Sequence, residues 1–262
     1  MSNDPFIDAS AVVGLGEVYV CDARSFGVFE DGHVKNARRI PVEVWEPKAR
    51  STEDALDDGN YWRGEFARLG IDGQRPVVVY DDGRLIEASR AWLILQHFGI
   101  EARIVNGGWP AIEALHDKIA GAPVPSSAGD LQGAGEVVKL ISRSDLRDAL
   151  ETDVAIVDVR TRAEYDGEDL RQNDRGGHLP GARHVPHASL LRDGRIRSPE
   201  DLVQLMERAG GRADDSVVTL CDAGGRAALA AAAAVRAGFD DVRIYYPSFA
   251  AWSRDESCPV VT

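Results

Sequence analysis

The feature that most constrains this chain is that it repeats itself. Val20-Cys21-Asp22-Ala23-Arg24 reappears as Val157-Asp158-Val159-Arg160, and Gly32-His33-Val34-Lys35-Asn36-Ala37-Arg38 as Gly177-His178-Leu179-Pro180-Gly181-Ala182-Arg183. Pro76-Val77-Val78-Val79-Tyr80-Asp81-Asp82-Gly83 reappears as Ser216-Val217-Val218-Thr219-Leu220-Cys221-Asp222-Ala223. Ile104-Val105-Asn106-Gly107-Gly108-Trp109 reappears as Ile244-Tyr245-Tyr246-Pro247-Ser248-Phe249. The order is kept, and the offsets are 136, 145, 140 and 140 residues. Two copies of one domain are therefore expected, each large enough to close its own core. Between them, residues 120–135 (AGAPVPSSAGDLQGAG) hold almost no bulky apolar side chain. This stretch reads as an extended linker, which sets the copies at 1–119 and 136–262.

Within each copy, short apolar runs alternate with helical patterns. Val154-Ala155-Ile156-Val157 and Val217-Val218-Thr219-Leu220 are continuous runs, as expected of strands covered on both faces. Ser142 precedes a segment with Leu146 and Leu150 one turn apart, which predicts a capped helix. A second helix is predicted from Ala227 to Arg236, ended by Gly238. The fold class expected is α/β: two tandem domains, each a parallel sheet flanked by helices on both faces. Ligands of such sheets sit beyond the carboxyl ends of the strands.

At that end of Val217–Leu220 the chain reads Cys221-Asp222-Ala223-Gly224-Gly225-Arg226 and enters the Ala-rich helix. Backbone N–H groups of such a loop, with the helix N-terminus, favour an anion. A cysteine there is expected to hold more thiolate, and Gly224 and Gly225 allow the backbone to curl around the sulfur. Arg226 is placed to steer an anionic substrate, whereas the Asp222 carboxylate opposes the thiolate unless it turns to solvent. The matching position in the first copy is Asp81, so only the second copy carries a nucleophile.

Charge narrows the partners. With 30 Lys and Arg against 43 Asp and Glu, the net charge of −13 argues against nucleic acid and anionic membrane surfaces. The N-terminus MSNDPFIDAS has no secretory pattern, and three widely spaced cysteines form neither a zinc motif nor a disulfide framework. A reducing cytoplasm is expected.

Together these residues resemble the tandem-domain rhodanese-type sulfurtransferases, the group of thiosulfate and 3-mercaptopyruvate sulfurtransferases. The resemblance rests on Asp22-Ala23-Arg24 and Asp158-Val159-Arg160, on Gly177 to Ala182, on Val78 to Asp81 in the first copy, and on the loop Cys221 to Arg226 in the second. It implies two rhodanese domains, the first inactive and the second catalytic, each with a five-stranded parallel sheet. It also implies sulfur transfer through a Cys221 persulfide, without cofactor or metal. The implied acceptors are cyanide, thiols and thioredoxin-like dithiols. Thiosulfate is the donor expected by default. Glu164 stands where mercaptopyruvate enzymes tend to place arginine, although Arg171 and Arg175 in the next loop are candidates to replace that charge. The alternatives are 3-mercaptopyruvate transfer, a carrier dedicated to one protein, and an oxyanion phosphatase or arsenate reductase. The last needs its arginine six positions after the cysteine, whereas Arg226 is five positions after Cys221.

The remaining residues read as structural. Arg24 and Arg160 are expected in ion pairs, His33 and His178 as turn braces, and Cys21 as core. Cys258, near the tail, reads as a thiol open to oxidation. The five tryptophans read as core or interface anchors, with Trp252 or Phe249 as a candidate wall of the site.

Overall fold

The structure is a computed structural model that describes residues 4–123, 137–211 and 216–262. The chain divides into two compact units, Met1–Val137 and Val138–Thr262. The first contains strands β1 (Phe6–Asp8), β2 (Tyr19–Asp22), β3 (Arg38–Arg39), β4 (Val77–Tyr80) and β5 (Ala102–Asn106). They form one parallel sheet in the order β1-β5-β4-β2-β3. The second contains β6 (Val138–Leu140), β7 (Ala155–Asp158), β8 (Arg183–His184), a hairpin of β9 (Leu191–Arg192) and β10 (Arg195–Ile196), β11 (Val217–Leu220) and β12 (Val242–Ile244). Apart from the antiparallel hairpin, these pair in parallel as β6-β12-β11-β7-β8, which is the same order shifted along the chain.

The apolar runs became the central strands because helices cover both sides of them. Every residue of β4, β7 and β11 is buried. Connections from β4 and from β2 leave toward opposite edges, as do those from β11 and β7. The carboxyl ends of these central pairs therefore open into a crevice. β4 and β11 each feed a 12-residue helix, Ile86–His97 and Gly225–Arg236. Ala227 to Ala234 are all buried. Their short side chains let this helix lie close against the sheet, and Thr219 fastens it from below by donating its hydroxyl to the Ala227 carbonyl at 3.1 Å.

The Ser142 cap is present, with its hydroxyl accepting the Asp145 N–H at the start of the Arg143–Ala149 helix. The first unit runs past residue 119: Gly121 donates its N–H to the Lys35 carbonyl and Ala122 to that of Val18. Those backbone bonds draw 120–123 onto the domain. The rest of the expected linker, 124–135, lies outside the described residues. Cys258 corrects another expectation. It is fully buried, packed in the second core with Trp252, Leu146 and Ile141, so its thiol is shielded from solvent oxidants. Cys21 is core as expected, and burial pushes its thiol up to about 12. Among the described residues no helix is long and apolar enough to cross a membrane.

Candidate functional site

Cys221 is the first residue beyond β11, and the Gly225–Arg236 helix begins four residues later. Its side chain is 1 % exposed, at the base of the loop. The Gly224 N–H donates to Sγ at 3.1 Å, so the loop points a backbone dipole at the sulfur. Gly224 is required on two counts. Its φ is +86°, and a β-carbon there would stand 2.8 Å from the Tyr246 ring and 2.9 Å from the Tyr246 carbonyl oxygen. This close approach sets the shape of the loop around sulfur.

The opposite wall comes from the turn after β12. The Phe249 N–H donates to the Cys221 carbonyl at 2.9 Å, and the Ala250 N–H to that of Asp222 at 3.2 Å. Ser248 is fully buried, and its φ of +59° is a left-handed conformation that costs a non-glycine residue about 1–2 kcal/mol. Its hydroxyl accepts the Cys221 N–H at 3.3 Å, donates to the Tyr245 carbonyl at 3.0 Å, and lies 3.8 Å from Sγ. The first copy has Gly108 at this place, with φ +57°. A β-carbon on Gly108 would meet Gly83 N at 2.6 Å and the Asp81 carbonyl at 2.8 Å. Only the second copy has room for a side chain here, and it fills that room with a hydroxyl beside the cysteine. Sequence reasoning missed Ser248. The signal was the pairing of Gly108 with Ser248 in the fourth repeat, where a residue with a side chain replaces a glycine.

The first copy shows what this loop geometry does to an anion. Asp81 Oδ1 accepts from the N–H groups of Gly83 and Leu85, and Oδ2 from those of Glu87 and Ala88, all at 2.9–3.2 Å. Burial pushes this carboxyl up to about 6, against the pull of the backbone donors. The Asp81 loop is filled by its own side chain, whereas the Cys221 loop presents sulfur.

The charged residues are arranged differently from expectation. Arg226, expected to steer an anionic substrate, is paired within the protein. Its two terminal nitrogens grip both oxygens of Glu164 at 2.7 and 2.8 Å. Glu164 is 1 % exposed and also bonds the Thr161 N–H and hydroxyl in a capping box. Although burial opposes it, this set of donors holds the Glu164 carboxyl down at about 2. Arg175 is likewise committed elsewhere. Its guanidinium, a candidate for substrate contact, donates to the carbonyls of Trp252, Ser253 and Asp255, at the end of the Ser248–Trp252 helix. Arg171 is exposed on its loop, with its backbone N–H bonded to Asp169. Asp222 is held by Asn173, whose amide donates to Oδ1 at 2.7 Å. Ala223 lies partly exposed at the loop's tip, while Gly225 is buried as the first helical residue.

The expected braces are present. Arg160 chelates Asp158, donates to the Gly177 carbonyl and lies 3.8 Å over the Phe249 ring. Arg24 repeats this with Asp22, the Gly32 carbonyl and Trp109. His178 stacks on Tyr165 and bonds its carbonyl, as His33 does with Phe29. Phe249 and Trp252 are both buried in the second core; Phe249 reaches the Cys221 loop through its N–H, and Trp252 donates its indole N–H to the Pro259 carbonyl.

Known proteins carry the same architecture. Residues 8–115 and 142–255 each match the rhodanese-like domain family. The 3-mercaptopyruvate sulfurtransferase of Escherichia coli is 26 % identical over 88 % of this chain and 83 % of its own length. The thiosulfate sulfurtransferase of Gallus gallus is 25 % identical over 86 % of this chain and 79 % of its own length. The crystal structure of SseA from Escherichia coli superposes with a TM-score of 0.73 at 23 % identity, covering 94 % of this chain and 99 % of that one. With both halves matched and the sheet order repeated, this chain belongs to the rhodanese-like domain family, as a tandem two-domain member whose named relatives are sulfurtransferases.

Proposed function

We propose that the chain transfers sulfane sulfur through a persulfide on Cys221, with thiosulfate as donor and a thiol or cyanide as acceptor. The observation that carries this reading is the single buried sulfur at a strand–loop–helix junction, bonded by the Gly224 N–H at 3.1 Å. The thiolate attacks the outer sulfur of the donor. The donor's S–S bond breaks, sulfite leaves with the electron pair, and Cys221 is left as a persulfide anion. Backbone dipoles and a helix N-terminus suit both anions, thiolate and persulfide. A nucleophilic acceptor then takes the outer sulfur and restores the thiolate. The test is the intact mass after incubation with thiosulfate and, separately, with 3-mercaptopyruvate. A gain of one sulfur atom with thiosulfate supports the reading. A protein that gains none from either donor overturns it.

One observation favours 3-mercaptopyruvate as a second reading. Arg226 is neutralised by Glu164, and the Asp222 carboxylate lies in the same loop, which disfavours the dianion thiosulfate more than a donor with one carboxylate. Glu164→Gln tests this directly. Glutamine keeps the capping box but releases the charge of Arg226. The KM for thiosulfate is expected to fall about tenfold, as one unpaired charge near a partly solvated mouth is worth about 1–2 kcal/mol. The same variant should flatten the acid limb of the stability curve. A carboxyl held near 2 stabilises the fold fully above its unfolded value of 4.5, and that contribution is lost as the pH falls toward 2.

The first domain serves as scaffold in this reading. Asp81→Ala is expected to leave sulfur loading at the wild-type rate. Urea unfolding should show a loss of about 2–4 kcal/mol in the first domain, because buried N–H groups lose their acceptor. Asp81→Asn should remove a pH dependence of the opposite sign to that of Glu164. Between about 4 and 6 the folded domain keeps a proton that the unfolded chain has released, so stability falls as pH rises through this window.

A further inference from the structure

His187 is a side chain of the second domain that the preceding chemistry leaves unused. It opens the short 3-10 turn His187–Leu190 after β8, and its backbone N–H donates to the Val159 carbonyl at 3.0 Å. Its Nδ1 is a buried polar atom that reaches no partner at hydrogen-bond geometry among the described residues, and the Val159 backbone is the only main-chain group acting on the ring there. Such an atom is costly to bury, and a catalytic or ligand-binding use is one of the few reasons to keep it.

The internal repeat locates this side chain. Ile40 donates its N–H to the Asp22 carbonyl, as Val185 does to the Asp158 carbonyl, so Ile40-Pro41-Val42 aligns with Val185-Pro186-His187. In the first domain Val42 lines a cavity of about 370 Å³ together with Ala23, Arg24, Asp81 and Glu87. Their counterparts in the second domain are His187, Val159, Arg160, Cys221 and Arg226. The repeat thus puts an imidazole on the wall of the hollow above the cysteine, where the first copy has an isopropyl group. The other polar side chains of that hollow are committed. Arg226 holds Glu164, Arg160 holds Asp158, Asn173 holds Asp222, and Ser248 bonds its own turn.

Resting on the persulfide reading above, we propose that His187 takes the S–H proton of a thiol acceptor as that thiol attacks the Cys221 persulfide. The proton passes to the neutral imidazole, and the acceptor sulfur bonds the outer sulfur of the persulfide. The Cys221 S–S bond breaks, its electron pair returns to the Cys221 thiolate, and the acceptor leaves as a persulfide anion. The imidazolium then gives its proton to water, and no oxidant or reductant is needed. The charged groups acting on this ring are Arg226, from the Gly225–Arg236 helix, and Glu164, from the Arg162–Tyr165 helix. Burial and Arg226 lower the ring below its ordinary value, so at neutral pH it is free to accept a proton.

The test separates the two half-reactions. Wild type, His187→Val (the residue of the first copy) and His187→Gln are loaded with thiosulfate and freed of excess donor. Each is then discharged into dithiothreitol or into sulfite, with loss of one sulfur atom followed by mass. Sulfite is already largely an unprotonated anion near neutral pH and attacks without a base. A thiol with a pKa of about 8.5 is only about 3 % thiolate at pH 7. The ratio of thiol to sulfite discharge is therefore expected to fall roughly 30-fold at pH 7 in both variants, and to recover as the pH passes the thiol's own pKa. An unchanged ratio, an equal loss with both acceptors, or full rescue by glutamine overturns the proposal while the persulfide reading stands. A wild-type protein that never gains sulfur from thiosulfate or from 3-mercaptopyruvate overturns both.

Discussion

Cys221→Ser protein is expected to fold as the wild type does and to transfer no sulfur. The substitution exchanges sulfur for oxygen in a site 1 % exposed, where Gly224 N–H and the Ser248 hydroxyl meet a hydroxyl as readily as a thiol. The change in stability should stay within about 1 kcal/mol. The chemistry is lost for a different reason. A serine hydroxyl stays protonated at neutral pH, and within the described residues Sγ has no base bonded to it that would activate an alcohol. Intact mass after thiosulfate should show no added sulfur, and steady-state turnover should drop to background, a loss of at least 10³-fold. Two readouts keep this informative. Circular dichroism and urea midpoints equal to wild type establish that the fold is intact, and residual sulfur transfer in that folded protein would overturn the mechanism.

The second large effect concerns stability. Asp158 and Arg160 are 0 % and 1 % exposed and form a chelated ion pair at 2.6 Å, with Arg160 also holding the Gly177 carbonyl and covering Phe249. Arg160→Met leaves a buried carboxylate with its charge unanswered and frees the Gly177 turn. The expected loss is about 3–5 kcal/mol from the second domain, read as an earlier transition in urea and a fall in Tm of roughly 10–20 °C. The first domain should unfold as before, because Asp22 and Arg24 form its own copy of the pair. Asp158→Leu combined with Arg160→Met should recover part of the loss, since replacing both charges removes the uncompensated one. A double variant as unstable as the single one would mean that the lost Gly177 and Phe249 contacts, rather than the stranded charge, set the cost. Arg160 reaches the Cys221 loop through Phe249, whose N–H holds the Cys221 carbonyl, so sulfur loading should slow in the same variant.

Much of this was legible before any coordinates. The repeat fixed the number of domains, and the apolar runs at Val154–Val157 and Val217–Leu220 located two central strands, because a strand covered on both faces needs no polar alternation. The glycines after Cys221 announced the tight loop, because positive φ is a property of the residue itself. The partners of the charged side chains were not legible. Arg226 was expected to meet substrate and instead meets Glu164, 62 residues away; Arg175 meets carbonyls 77–80 residues away. Glu164 was noticed only as a departure from a family pattern, although it is the residue that neutralises the loop.

The sequence by itself determined the tandem architecture, the strand–loop–helix junction and the cysteine placed on it. Each of these depends on local conformational preference or on periodic apolarity, which are written residue by residue. Only the tertiary structure decided which charges are paired, that Ser248 stands beside Cys221 in a left-handed turn, and that among the described residues the buried Nδ1 of His187 reaches no partner at hydrogen-bond geometry. A long polar side chain can satisfy its charge with any donor or acceptor that the fold brings within reach. That choice is fixed by distance in space, which separation along the chain does not encode.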